Sequence, residues 1–225
     1  FYWYNGSVFY TFFYSLQLIS FSFALLSFRS KTDAGRWVYG TLAVLFCAII
    51  GGSNYTTALL TCVWTALSTI YLVFRKSSKA IVTGGMLLAC GFSLFISAMA
   101  PGNAVRQGAF PDTPSPFIAI FRSFLYAFRY VLRWTTIPVL LMLLFLLPVM
   151  FIIIKRTTCK FQFPLLVLGM SFCVFASSFT PPGYAMNSEG PSRLLNIIFY
   201  SYILMFVGNT FYIVGWVYRK WQIHV

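Results

Sequence analysis

The chain has 225 residues, of which 60% are hydrophobic and 8% charged, with a formal net charge of +13. A soluble domain carries about a quarter charged residues, so this composition cannot supply a wetted surface and excludes an ordinary soluble enzyme. A nucleic-acid binder is excluded as well: the 16 Lys and Arg fall mainly in short clusters between apolar runs, with no basic stripe interleaved with aromatics.

About 18 to 20 apolar residues span a bilayer. Runs near that length predict an all-α, polytopic helical membrane protein, with about seven transmembrane helices and one amphipathic interfacial helix in a single transmembrane domain over 1–225. The first span covers 9–28. The second, 37–50, is short and stopped by Gly51-Gly52. Spans three and four cover 55–74 and 80–100. The fifth is 135–154, where Pro138 and Pro148 are expected to bend or cap the helix. Spans six and seven cover 161–179 and 194–217. The opening at Phe1, with neither a charged stretch nor a small-residue cleavage site, reads as an internal piece of a longer membrane protein rather than a signal peptide.

The charges agree with this count. Arg29, Lys31 and Arg36 follow span one; Arg75, Lys76 and Lys79 follow span three. Lys155, Arg156 and Lys160 follow span five, and Arg219 and Lys220 follow span seven. With seven spans all four clusters fall on one side, which the positive-inside rule makes cytoplasmic. The N-terminus is then extracytoplasmic. That outer side also receives Arg106, Arg122, Arg129, Arg133 and Arg193, and no lysine. An arginine fork grips phosphate or carboxylate in two-point fashion, which a lysine cannot do.

The segment 117–134 spaces Arg122, Arg129 and Arg133 seven and four residues apart, so a helix gathers them on one face with Phe124, Leu125, Phe128 and Leu132 largely elsewhere. It is expected to lie in the outer interface, either as an anchor or as a positive wall over a cavity. Arg106 follows Pro101-Gly102-Asn103. Pro101 is expected to end span four, Gly102 to allow a tight turn, and Asn103 to bond backbone groups in it. A guanidinium at that level would neutralise an anionic group; the structural alternative is snorkelling, or a pair with Asp112. Arg193 opens the last span after a Glu189-Gly190-Pro191-Ser192 turn. The helix dipole does not favour a positive charge there, which argues for another partner. It is a second candidate for holding an anion. Glu189 and Asp112 are the outer carboxylates, available as a general base, with surface residues as the plain alternative. Trp3, Tyr4, Tyr10 and Tyr14 form an interfacial aromatic belt or line a ligand groove. Asn5 and Asn54 begin N-x-S/T sequons.

Other chemistries find less support. His224 is the sole histidine and the five cysteines are scattered, so no metal site or cofactor is expected. No span carries Asp, Glu, Lys or His in its middle, which weakens ion pumping. Neither a Walker motif nor a dinucleotide fingerprint occurs.

Four short elements in register carry a family resemblance. Trp3-Tyr4-Asn5-Gly6-Ser7-Val8-Phe9-Tyr10 is similar to a W-x-x-G-x-x-x-Y opening. Ala100-Pro101-Gly102-Asn103 with Arg106 is similar to an A-P-G-N-x-x-R signature. Gly51-Gly52-Ser53-Asn54 occupies the place of a short polar turn, and Pro191-Ser192-Arg193 that of a late P-x-R element. Together these resemble the DUF6056-type bacterial multispanning membrane proteins, which are in turn similar to GT-C-like polyprenyl-phosphate-dependent glycosyltransferases. The resemblance implies a bacterial inner-membrane protein acting on a polyprenyl-phosphate sugar for cell-envelope glycan or lipid modification. It implies Glu189 and Asp112 as catalytic candidates. Arg106, Arg193, Asn103, Arg122, Arg129, Trp3 and Tyr10 become candidates for substrate binding. The chain departs from the pattern beside the Gly-Gly turn, where an acid is expected and Asn54, Tyr55, Thr56 and Thr57 stand. A non-catalytic lipid-linked glycan transporter or flippase, or a structural membrane subunit, is the alternative; a flippase needs a continuous polar route that the sequence does not display.

Overall fold

The computed structural model describes residues 6–108 and 113–221, apart from the side chains of Ser7, Ala104, Arg106 and Gln107. Among the described residues it is helical, with no strand. A π-helical lead, Ser7–Phe12, runs into α1 (Phe13–Arg29), followed by α2 (Asp33–Gly51), α3 (Tyr55–Phe74) and α4 (Ala80–Ala98). Then come the short α5 (Pro101–Gly108), α6 (Pro116–Trp134), α7 (Ile137–Arg156), α8 (Pro164–Ser177), α9 (Thr180–Met186) and the long α10 (Ser192–Trp221). Among the described residues, seven stretches are long and apolar enough to cross a membrane: Val8–Arg29, Asp33–Gly51, Tyr55–Phe74, Ala80–Ala98, Ile137–Arg156, Pro164–Met186 and Ser192–Trp221. They coincide with the seven expected spans. The chain is an integral membrane protein of all-α class, and α6, with its three arginines, is not one of the seven.

The ends differ from expectation for local reasons. The second span is longer because Thr32 caps α2, its hydroxyl accepting from the Gly35 N–H at 3.2 Å, while Asp33 pairs with Arg36 in the first turn. Span four ends at Ala98, before Pro101, which instead opens α5. Proline is tolerated in a first helical turn, so Gly102 sits in a helix rather than a tight turn. The stretch after span six is the helix α9, with Pro181 and Pro182 in its first turn and a left-handed Asn187 closing it. Pro138 likewise lies in the first turn of α7, and only Pro148 is interior.

Helices α1 to α4 pack as one lobe. Ser20 donates to the Ala43 carbonyl at 2.9 Å and Ser27 to the Arg36 carbonyl at 2.8 Å, so small hydroxyls tie α1 to α2 where lipid offers no hydrophobic driving force. Gly51 lets α2 cross α4 closely: a Cβ there would lie 2.4 Å from the Cys90 carbonyl oxygen and 2.6 Å from the Ser93 Cβ. On α3 the buried Thr61 and Thr65 bond back to the carbonyls of Thr57 and Thr61 at 2.8 and 2.7 Å, satisfying their hydroxyls within the helix.

The second lobe gathers α6 to α10 around a core that includes Ala127, Tyr130, Val174, Phe175, Phe179, Leu194, Ile198 and Tyr202. Tyr14 and Leu60, from α1 and α3, join this core, and α3 touches α8 and α9. At one end of the bundle Asn54 caps α3 and donates to the Phe9 carbonyl at 2.9 Å, and Tyr55 donates to the Ser97 carbonyl at 3.2 Å. This is the α6 end. At the far end Lys79 stands over the Phe28 ring at 5.5 Å and Arg219 donates to the Thr157 carbonyl.

Candidate functional site

The α6 end brings together several of the expected residues. Helix α6 begins with Pro116 in its first turn and buries Ala119, Ser123, Ala127 and Tyr130 against α8 and α9. Spacings of four, four and three residues form one narrow stripe, and small side chains on it allow close approach. Phe117, Phe121, Leu125, Phe128 and Leu132 stay exposed on the opposite side. Arg122, Arg129 and Arg133 fall on the flank between these two faces, so the expected amphipathic helix is present, with a third, buried face the sequence did not show.

Beside α6 runs the segment from Asn187 to Arg193. Asn187 adopts a left-handed conformation at φ 50°, and Arg122 donates a hydrogen bond to its side-chain oxygen. Part of the Arg122 fork is therefore committed to holding this segment. Gly190, at φ +95°, makes the turn; a Cβ there would meet the Leu194 Cδ2 at 2.8 Å. The turn leaves Glu189 half-buried next to Tyr130.

Tyr130 is 2% exposed, and its hydroxyl has no hydrogen-bond partner among the described residues. Its ring stacks on Phe179 at 5.3 Å and lies 4.6 Å from Trp134, with the Arg133 guanidinium 5.8 Å above it. Burial pushes the phenol up to about 12; the adjacent Glu189 carboxylate adds to the rise, and Arg133 and Arg129 pull against it. Tyr130 is thus a neutral O–H donor at physiological pH, between a carboxylate and two guanidinium groups. In the sequence Tyr130 is one aromatic among many. Its signal was its position inside Arg129-Tyr130-Val131-Leu132-Arg133, where the buried stripe crosses the arginine flank.

Arg193, in the first turn of α10, lies 5.9 Å from the Tyr10 ring centroid. This contact supplies a partner for a cation that the helix dipole does not favour, and it unites two of the expected residues. Asn103 is placed differently. Its side-chain nitrogen donates to the Ser97 and Ala98 carbonyls at 2.6 and 3.3 Å, closing the C-terminus of α4. That is the backbone-capping job expected of it, and it commits those donors away from a ligand. Arg106 rides on α5, but its side chain lies outside the described residues, as do Asp112, Trp3, Tyr4 and Asn5. Among the described residues no group of three or more His, Cys, Asp or Glu side chains could hold a metal ion.

Among the described residues, the α6 end offers guanidinium groups for an anion such as a phosphate, one carboxylate to accept a proton and a buried neutral phenol to donate a hydrogen bond. Family models, curated proteins and solved structures yield no match to the chain.

Proposed function

We propose that this is a glycosyltransferase-like membrane protein that binds a polyprenyl-phosphate-linked sugar at its α6 end, the extracytoplasmic face of a bacterial inner membrane. The observation that carries the reading is the joining of Arg129, Arg133, Tyr130 and Glu189 by the packing of α6 against the 187–193 segment. The orientation rests on the four Lys/Arg clusters, which the positive-inside rule assigns to the cytoplasm.

In the proposed reaction an acceptor hydroxyl attacks the anomeric carbon while the sugar–phosphate C–O bond breaks. The acceptor proton passes to Glu189. The departing lipid phosphate keeps the bonding pair, and its charge is met by Arg129, Arg133 and Arg193. Tyr130 donates its O–H to a substrate oxygen or orients Glu189.

The test is transfer of radiolabelled sugar from its polyprenyl phosphate by the protein in proteoliposomes, for the wild type and Glu189→Gln. General-base catalysis is worth about 10²–10⁴ in rate, so the variant should retain donor binding and lose at least about a hundredfold in kcat. Equal turnover in the two proteins would remove Glu189 from the mechanism. Donor binding without transfer in either protein would favour the non-catalytic transporter.

A further inference from the structure

A second feature lies between the lobes. A partly open cavity of about 580 Å³ is bounded by α1, α3 and α4 on one side and by α8 and α10 on the other. That volume falls within the roughly 300–1,000 Å³ of small-molecule sites. Its lining is mainly apolar, including Phe21, Trp64, Met86 and Phe175, and no charged side chain among the described residues borders it. A charged ligand would lose its hydration there with nothing to repay the loss.

The polar side chains around it are largely paired with one another. Ser201 donates to the Tyr14 hydroxyl at 3.1 Å, Ser171 donates to the Asn209 side-chain oxygen at 2.9 Å, and Thr65 bonds back to the Thr61 carbonyl. Among the buried polar side chains that line it, Gln17 is the exception. It lines the cavity, is 2% exposed, and its Oε1 has no hydrogen-bond partner among the described residues. It stands nine residues into the span that begins at Val8, about 13 Å along the helix at 1.5 Å per residue. Water is scarce at that depth, and an unsatisfied buried acceptor costs free energy.

We propose that this cavity is a binding site for a neutral, single-chain lipid alcohol whose hydroxyl donates to Gln17 Oε1. The apolar lining takes the chain, the lack of charge selects a neutral molecule, and the unpaired acceptor selects an O–H over a plain hydrocarbon. The gap between the lobes admits the ligand sideways from the bilayer. The site is separate from the α6 end and does not depend on the reaction proposed there.

The test uses the full chain in lipid nanodiscs and palmityl alcohol carrying a diazirine on its chain. Its methyl ether, which lacks the donor, serves as the paired probe. Photolabelling should fall on α1, α3 and α10 and be competed by unlabelled palmityl alcohol. A buried hydrogen bond of about 1–2 kcal/mol corresponds to roughly five- to thirtyfold in affinity. A loss of that size is expected for the methyl ether on the wild type and for the alcohol on Gln17→Leu. Gly208→Leu fills the cavity from α10; a Cβ there meets no atom within 4 Å, so the backbone is undisturbed, and labelling should vanish. Unchanged labelling of Gly208→Leu, or equal labelling of the wild type by alcohol and ether, would overturn the proposal.

Discussion

Arg193→Ala should weaken binding of a polyprenyl phosphate to the purified protein by about 30- to 150-fold, the equivalent of roughly 2–3 kcal/mol for a charge-assisted hydrogen-bonded contact. Arg193 opens α10 beside the Gly190 turn, and the Tyr10 ring 5.9 Å away fixes where its guanidinium is presented. Arg193→Lys keeps the charge but loses the planar fork and should recover only part of the affinity. Tyr10→Leu removes the ring alone and should cost about two- to fivefold, the scale of an exposed cation–π contact. The three variants rank the contributions of fork, charge and placement by titration under one salt condition. Equal affinity in all three would mean that Arg193 is an interface anchor and not a ligand.

The largest structural effect is expected at Gly51. Valine there drives its Cβ into the Cys90 carbonyl oxygen and the Ser93 side chain, and the Leu94 backbone nitrogen is only 3.1 Å away. Two of those three obstacles are backbone atoms of α4, so relief requires α2 and α4 to separate. Overpacking of this kind costs about 3 kcal/mol or more, a large share of a typical net stability. Gly51→Val should therefore give little monodisperse protein in detergent. Gly52→Ala is the control: its nearest neighbour would be the Ile49 carbonyl oxygen at 3.7 Å, an ordinary contact, and its yield should match the wild type. Equal yields of Gly51→Val and wild type would contradict the close crossing of α2 and α4.

The Gly-Gly pair shows how far the sequence was legible. It marked the end of a span, because Gly52 does cap α2, but the demand for a missing side chain at Gly51 comes from α4, about forty residues away, and leaves no local trace. Span number and the amphipathic α6 were readable because apolar length and arginine spacing are local properties of the chain. Helix ends were less so. Pro101 reads as a stop, yet proline is equally at home in a first helical turn, and it opens a helix there as Pro181 and Pro182 do in α9. At the candidate site the arginines and Glu189 were visible as charges out of place in an apolar chain. Tyr130 was not, since a buried phenol resembles any other aromatic until the 187–193 segment folds over it. The cavity around Gln17 was hidden for the same reason: its walls come from five helices.

The most direct measurement is binding of polyprenyl phosphate to the wild-type protein in nanodiscs, beside the matching polyprenol and beside an Arg129→Ala/Arg133→Ala double variant, at low and high salt. The phosphate should bind at least about tenfold more tightly than the alcohol, lose that advantage in the double variant, and weaken with salt as a partly exposed guanidinium–phosphate contact must. Equal binding of phosphate and alcohol by the folded wild type, or full retention of phosphate binding in the double variant, would contradict an anion site built by α6.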